Sequence, residues 1–273
     1  MTSFAVAFAA RDGYLRESSV ASLVRGSGLQ CSRILVKWLR DPVTLAQALL
    51  YPALMVLLFW LVLDRSVSQA TGTSPVTGMV PMVALVGAMS GASISGIGLQ
   101  RERDNGQLAK MWVLPAHRAS AMVGRLCAEL VRVAVTVSLI LAVGVIVGFR
   151  VTTGPVGLAG VLIIALVFGT SFSIMVTALA LRGSKTKVVE WTAVGTNVAL
   201  FFNSGFVPVA SYPAWLQPII RWQPLSCAVD AMRGVATGTS VAQPLLATAA
   251  WSIGILAVFA VPAVRGYRRA SQT

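Results

Sequence analysis

Apolar residues in this chain come in long runs, not in the alternation of a strand or the single stripe of a soluble helix. Six runs stand out, at approximately Val43–Leu63, Gly78–Leu99, Cys127–Phe149, Pro155–Leu181, Val188–Val209 and Gln243–Val264. About 18 or more consecutive apolar residues suffice to cross the hydrocarbon of a bilayer, and each run is near that size. The pattern predicts an all-α membrane protein with six transmembrane helices. It divides the chain into an N-terminal stretch (residues 1–42), a six-helix transmembrane domain (43–264) and a short tail (265–273).

The segments between the runs are patterned too. Before the first, Cys31, Ile34, Leu35, Trp38 and Leu39 recur at helical spacing, and Arg33, Lys37 and Arg40 fall opposite them. This predicts a basic amphipathic helix lying in the membrane interface. Asp41-Pro42 ends it and lets the first span begin. Such a helix reads either as an anchor for span one or as a lever at the cytoplasmic surface, and composition alone favours the anchor.

Between spans two and three the sequence reads GLQRERDNGQLAKMW. Glu102 and Asp104 suit the start of a helix. Leu108, Met111 and Trp112 would give that helix an apolar face in want of a partner. After span five, Pro208, Pro213, Pro218 and Pro224 punctuate FVPVASYPAWLQPIIRWQP and exclude one long helix. They predict short re-entrant helices at the outer interface before helix six, with irregular backbone that must be covered by protein or face water. Tyr212, Trp215 and Trp222 suit headgroup level.

Composition agrees with lipid as the solvent. Of the 273 residues, 56% are hydrophobic and 11% are charged, against about a quarter charged in soluble domains. The net charge of +13 would suit nucleic acid if it were spread over a polar surface. Instead Lys and Arg cluster just outside the apolar runs, where the positive-inside rule places them. Arg11, Arg16, Arg25, Arg33, Lys37 and Arg40 precede span one. Arg101, Arg103, Lys110, Arg118 and Arg125 lie between spans two and three, Arg182, Lys185 and Lys187 between four and five, and Arg265, Arg268 and Arg269 after six. The alternate loops hold only Arg65, Arg150, Arg221 and Arg233. Both termini and the RERD loop are therefore expected in the cytoplasm. The first forty residues lack the apolar core and cleavage site of a signal peptide, so span one is expected to be its own insertion signal.

Within the spans, small residues recur four apart: Gly87, Gly91 and Ser95 with Ala88, Ala92 and Gly96 beside them, Gly144 and Gly148, and Ala165, Gly169 and Ser173. Such stripes let helix backbones approach closely. Pro52 and Pro81 are candidate kinks. Glu129 has Arg125 and Arg132 at pairing distance along its helix. Asn197 and Asn203, beside Ser204, read either as interhelical hydrogen-bonding groups or as part of a polar path. Cys31, Cys127 and Cys227 show no pairing pattern and His117 has no second histidine. Metal-site, nucleophile-elbow and phosphate-loop motifs are absent. This chain is expected to bind no cofactor, and any energised work must be powered by a partner.

Two stretches carry a family likeness. In RERDNGQLAKMWVLPAHRAS, Glu102, Asp104, Gly106, Leu108 and Pro115 match the loop after the second span of type-two ABC exporter permeases. In NSGFVPVASYPAWLQPIIRWQPLSCAVDAMRG, Asn203, Ser204, Gly205, Pro208, Pro213, Trp215, Leu216, Pro224, Asp230 and Arg233 match the end of that family. The order of spans fits over nearly the whole chain, which most resembles the daunorubicin-resistance (Drr) branch, including permeases tied to export of polyketide-derived lipids. Gln107 stands where the family has Thr, and Ala109 where it has Glu.

The resemblance implies a permease subunit in the cytoplasmic membrane of a bacterium, not itself an enzyme. Two copies of a separate ATPase, holding ATP and Mg, would power it, and it would pair with a second permease, identical or homologous. An amphipathic lipid or drug would be the substrate; a polysaccharide or other envelope glycoconjugate is the alternative within the family. Glu102, Arg103, Asp104, Gly106, Leu108, Met111, Trp112 and Pro115 would form the cytoplasmic coupling helix on the ATPase. The helix with Arg33, Lys37, Trp38 and Arg40 would be the connecting helix, which overrides the anchor reading. An ion-driven secondary transporter would call for inverted repeats and broken helices at mid-membrane, and the sequence has neither a clear internal repeat nor a carboxylate near the centre of a span.

Overall fold

The computed structural model describes residues 19–71, 75–112, 117, 119–182 and 187–272. In chain order the helices are α1 (Val20–Leu39), α2 (Pro42–Leu45), a π turn (Ala46–Leu50), α3 (Tyr51–Thr71), α4 (Val76–Asp104), α5 (Gln107–Trp112), α6 (Ser120–Ile146), α7 (Gly154–Arg182), α8 (Lys187–Phe201), a 3₁₀ turn (Val209–Ser211), α9 (Gln217–Trp222), α10 (Pro224–Thr237) and α11 (Ala242–Gln272). No strand occurs among the described residues.

The amphipathic helix is longer than its sequence pattern. It starts at Val20, where the Ser19 side chain accepts the Ser22 N–H at 3.1 Å. Its inner side packs on α6 through small contacts: Gly26 lies against Ser120, and Gly124 against Gln30 and the Ser27 carbonyl. Val20, Val24, Leu29, Val36 and Leu39 are exposed, as suits a helix at an interface. Asp41 then caps α2. Its Oδ2 accepts the Thr44 hydroxyl at 2.6 Å and its Oδ1 accepts the Val43 and Thr44 N–H groups. Hydrogen bonding to Thr44 holds the Asp41 carboxyl below its usual range. Pro42, which lacks an N–H, fills the first helical position, where none is needed.

Pro52 has a structural consequence. Its ring cannot accept a normal α turn before it, and the helix widens there, so that the Tyr51 N–H reaches back to the Ala46 carbonyl. Such π turns relieve a strained helix without ending it. Pro81 is accommodated inside an unbroken α4.

α4 is the central helix, touched by α3, α6, α7, α8 and α10. Its small-residue stripes pack within this chain: Gly96 faces Val176 of α7 and Val189 of α8, and Gly87 faces Ile140, Thr136 and Pro52. In lipid such fits are worth their van der Waals contacts, since the solvent is as apolar as the side chains. By contrast, Pro42–Val62 and Ala242–Ala270 are peripheral spans with 17% and 11% of their apolar windows buried.

Five helices among the described residues are long and apolar enough to cross a membrane. The expected fifth span, Val188–Val209, falls short. α8 has 15 residues, about 22 Å at ~1.5 Å rise per residue, against ~30 Å of hydrocarbon. Asn203 accounts for the stop: its Nδ2 donates to the Ala199 and Leu200 carbonyls, and its Oδ1 accepts the Gly205 N–H at 2.6 Å. An irregular stretch then carries the chain through the 3₁₀ turn and the Pro-led α9 and α10. Contacts fix the heights. Val189 of α8 lies level with Gly96, and Gly205 lies against Gly78 and Met82 at the other end of α4. The α10 end meets residues 152–153, where the Thr152 N–H reaches the Ala236 carbonyl at 2.8 Å. Gly266 of α11 packs on Leu181, at the end of α7 that also meets Arg103.

Candidate coupling site

α4 ends in the charged run Arg101–Asp104. Gly106 then adopts φ +66° with open space where a side chain would stand, so the turn into α5 is left-handed, where glycine is strongly favoured. Glu102 is 6% exposed. Its Oε1 takes Lys37 Nζ at 3.1 Å and faces Arg33 Nη2 at 3.9 Å, both from α1, while Oε2 takes Arg125 Nη2 of α6. One carboxylate thus ties the amphipathic helix, the end of the central helix and the start of α6. Arg103 adds a fourth element: its Nη1 donates to the Ala180 carbonyl of α7 at 3.2 Å, and its Nε and Nη2 hold Asp104 Oδ1.

These positions divide the expected docking surface. Asp104, Asn105, Gln107 and Lys110 are exposed. Leu108, expected to wait for a partner, is 1% exposed and belongs to the chain's own core, because α5 lies against α11. Only the backbone of Met111 and Trp112 is described, and Pro115 lies outside the described residues. In α1, Arg33 and Lys37 turn to Glu102 and not simply to water, Trp38 is half-buried, and Arg40 is exposed at the C-cap.

A second buried pair lies deeper. Arg132 holds Glu129 through Nη2 at 2.7 Å and Nε at 2.9 Å, and the Ser173 hydroxyl donates to the same carboxylate at 3.4 Å. Helical spacing alone allowed Arg125 the same partner, but Arg125 goes to Glu102. The Arg132 guanidinium fills the notch at Gly91 on α4, where a built methyl would overlap it. The Gly91 stripe therefore seats a charge as well as a neighbouring helix.

At the opposite end of α4, the family-like residues between Asn203 and Arg233 converge. Ser204 Oγ donates to Asp230 Oδ1 at 2.8 Å, and Arg233 Nη2 donates to the Ser204 carbonyl at 2.6 Å. Gly78 leaves the space that Arg233 fills. Asn203 is fully buried and ends α8, whereas Asn197 is exposed and donates to the Ala193 carbonyl of its own helix. Pro224 opens α10, and Trp215 is 73% exposed. Pro208 leads into the 3₁₀ turn as its N-cap. The side-chain bonds of both asparagines stay within their own segment and reach no other helix, so the interhelical reading is not met, and these bonds do not bear on a polar path. Arg125, Gly78 and the Gly91 notch were not singled out as site residues from the sequence. The partners come from helices far apart in the chain, which spacing along one helix does not connect.

Comparison with known proteins follows this geometry. Residues 30–236 match the family described as ABC-2 type transporter. The chain is 40% identical over 243 residues to the probable doxorubicin resistance ABC transporter permease protein DrrC of Mycobacterium tuberculosis, covering 89% of this chain and 88% of that one. It is 26% identical over 237 residues to the daunorubicin resistance ABC transporter permease protein DrrB1 of Streptomyces coeruleorubidus, covering 86% of this chain and 83% of that one. The match spans α1 from Gln30, the Glu102 cluster and the Ser204–Asp230–Arg233 network, and the chain belongs to the ABC-2 type transporter family of membrane permeases.

Proposed function

We propose that this chain is the membrane-spanning permease of an ATP-driven exporter in a bacterial cytoplasmic membrane. A separate ATPase, present in two copies, supplies ATP hydrolysis with Mg, and a second permease, identical or homologous, completes the path. The substrate is an amphipathic lipid or drug-like molecule. The likeness to drug-resistance permeases supports this class.

The observation that carries the coupling reading is the Glu102 cluster. A push on α5 and the exposed residues around Gly106 reaches α4 directly, α1 and α6 through Glu102, and α7 through Arg103. The ATPase sits against Asp104, Asn105, Gln107 and Lys110, with Glu102 behind them as the tie to the connecting helix. Six crossings with both termini in the cytoplasm fit the contact heights: α8 with the segment after it takes the chain from the level of Gly96 to that of Gly78. The pieces from Val209 to Thr237 then form the outer re-entrant segment.

Gentle solubilisation of the tagged chain tests the reading directly. A stoichiometric ATPase subunit should accompany it, and Glu102→Ala or Gly106→Pro should uncouple ATP hydrolysis from export with insertion intact. Export that persists without any ATPase and collapses with an ionophore sinks the proposal.

A further inference from the structure

Most of α11 is turned away from the rest of the chain, with 11% of its apolar window buried. Its last turns are the exception. Ala263, Tyr267 and Ala270, four and three residues apart, fall on one helix face, and they are 0%, 4% and 9% exposed. Ala263 packs with Ile174 and Ala178 of α7, and Gly266 lies against Leu181 at the end of the same helix. Tyr267 and Ala270 join Leu108 in one buried cluster, where α5 lies against α11.

The other end of the same side chain is polar. The charges of Arg125, Glu102 and Arg33 all reach the Tyr267 hydroxyl. These are the buried carboxylate of the coupling site and two of the three cations around it. One side chain of the last helix therefore borders both halves of the site, the apolar half at Leu108 and the ionic half at Glu102. Apolar packing would be served as well by a phenylalanine. A buried tyrosine hydroxyl belongs where polar groups are at hand, and here those groups are the ones that tie α1, α4 and α6 together.

We propose that Tyr267 is a positioning residue of the coupling joint, through which a push on α5 reaches the last span. Its ring takes up the displacement of Leu108 and passes it to α11. Its hydroxyl keeps the end of α11 aligned with the Glu102–Arg125 pair. α7 moves with them, held by Arg103 at Ala180 and by Gly266 at Leu181. The coupling site thus drives α11 directly, alongside α1, α6 and α7. The inference rests on the reading of α5 as the seat of an ATPase.

Two measurements test it. The chain has four tyrosines, few enough for fluorine NMR of the purified full chain labelled with meta-fluorotyrosine, and Tyr267→Phe assigns the resonance. Glu102→Gln and Leu108→Met, the second of which keeps the side-chain volume, should each move the Tyr267 signal and leave the other three in place. Gln107→Ala, at an exposed position of α5, should move none. A Tyr267 signal that ignores either Glu102→Gln or Leu108→Met overturns the proposal. The second measurement is export per ATP hydrolysed, with the copurified ATPase and the chain reconstituted in vesicles. Tyr267→Ala should lower that ratio about tenfold, within the usual range of coupling between two sites. Tyr267→Phe should keep the wild-type thermal midpoint and recover part of the ratio, since the ring is retained. The ratio is normalised to ATP hydrolysed, so a loss of folded protein alone does not move it, and an unchanged ratio in Tyr267→Ala overturns the proposal. Failure to capture any ATPase counts against the export reading. Unmoved resonances, recorded without an ATPase, count against Tyr267 alone.

Discussion

Gly91 and Arg132 share one volume between α4 and α6, and the pair shows how a residue's role depends on what faces it. A glycine four from its neighbours in an apolar run reads as a place where two backbones meet. The structure puts a guanidinium there instead, bound to Glu129 and to the Ala88 carbonyl. A methyl at position 91 would drive the guanidinium off its carboxylate. Losing one partner of a buried pair costs about 3–5 kcal/mol, far more than the packing change of a single methyl. Gly91→Ala and Arg132→Ala should therefore each lower the thermal midpoint of the purified protein sharply. Because both break the same interaction, the double variant should fall little further than either single. Strictly additive losses would mean that Gly91 serves backbone packing alone. The sequence displayed the glycine, the glutamate and both arginines. It did not display the choice between Arg125 and Arg132, because the charge that draws Arg125 away is Glu102, on another helix.

Two elements depart from their sequence pattern, one through a polar contact and the other through apolar packing on a helix far along the chain. α8 stops at Phe201 because Asn203 takes over the last carbonyls of the helix. In α5, Leu108 goes inward against the chain's own core, leaving polar residues outside. The helix, its charged start and its glycine were legible; which face turned outward was not, since that depends on α11, far along the chain. The local turn makes a separate prediction. Gly106 needs a left-handed backbone that costs other residues about 1–2 kcal/mol, so Gly106→Ala should reduce coupled ATP hydrolysis while leaving the melting of the spans nearly unchanged. Glu102 should behave differently. Glu102→Gln leaves the Arg125 guanidinium buried without a counter-charge, whereas Lys37 is 67% exposed and Arg33 lies at 3.9 Å. With its cation largely in water, the Lys37 half of the cluster is more strongly screened than the buried Arg125 half and contributes less. Glu102→Gln is therefore expected to cost both stability and coupling, and Lys37→Met coupling mainly. Equal melting losses in the two variants would show that Lys37, not Arg125, anchors the carboxylate.

At the scale of the whole molecule the number of crossings is the quantity to measure, since charge placement implies six while helix length yields five among the described residues. The two differ in a simple observable. If α8 and the segment after it traverse the bilayer, the Val209–Ser211 turn and the α10–α11 connection face outward, and the end of α11 returns to the side of the RERD loop. If α8 stays on the inner side, those connections are cytoplasmic and the end of α11 is external. The packing favours the first arrangement. Gly266 of α11 meets Leu181, on the same end of α7 as Arg103, and the end of α10 is bonded to the loop at Thr152 and Thr153 on the other side. In a background with Cys31, Cys127 and Cys227 replaced, single cysteines at Asn105, Ser211 and Thr239 give the answer. A membrane-impermeant maleimide added to intact cells should label positions 211 and 239 and leave 105 protected until the membrane is opened. Protection of 211 and 239 alongside 105 would remove the sixth crossing. The outer Ser204–Asp230–Arg233 network would then face the cytoplasm, and any export path built on it would have to be redrawn.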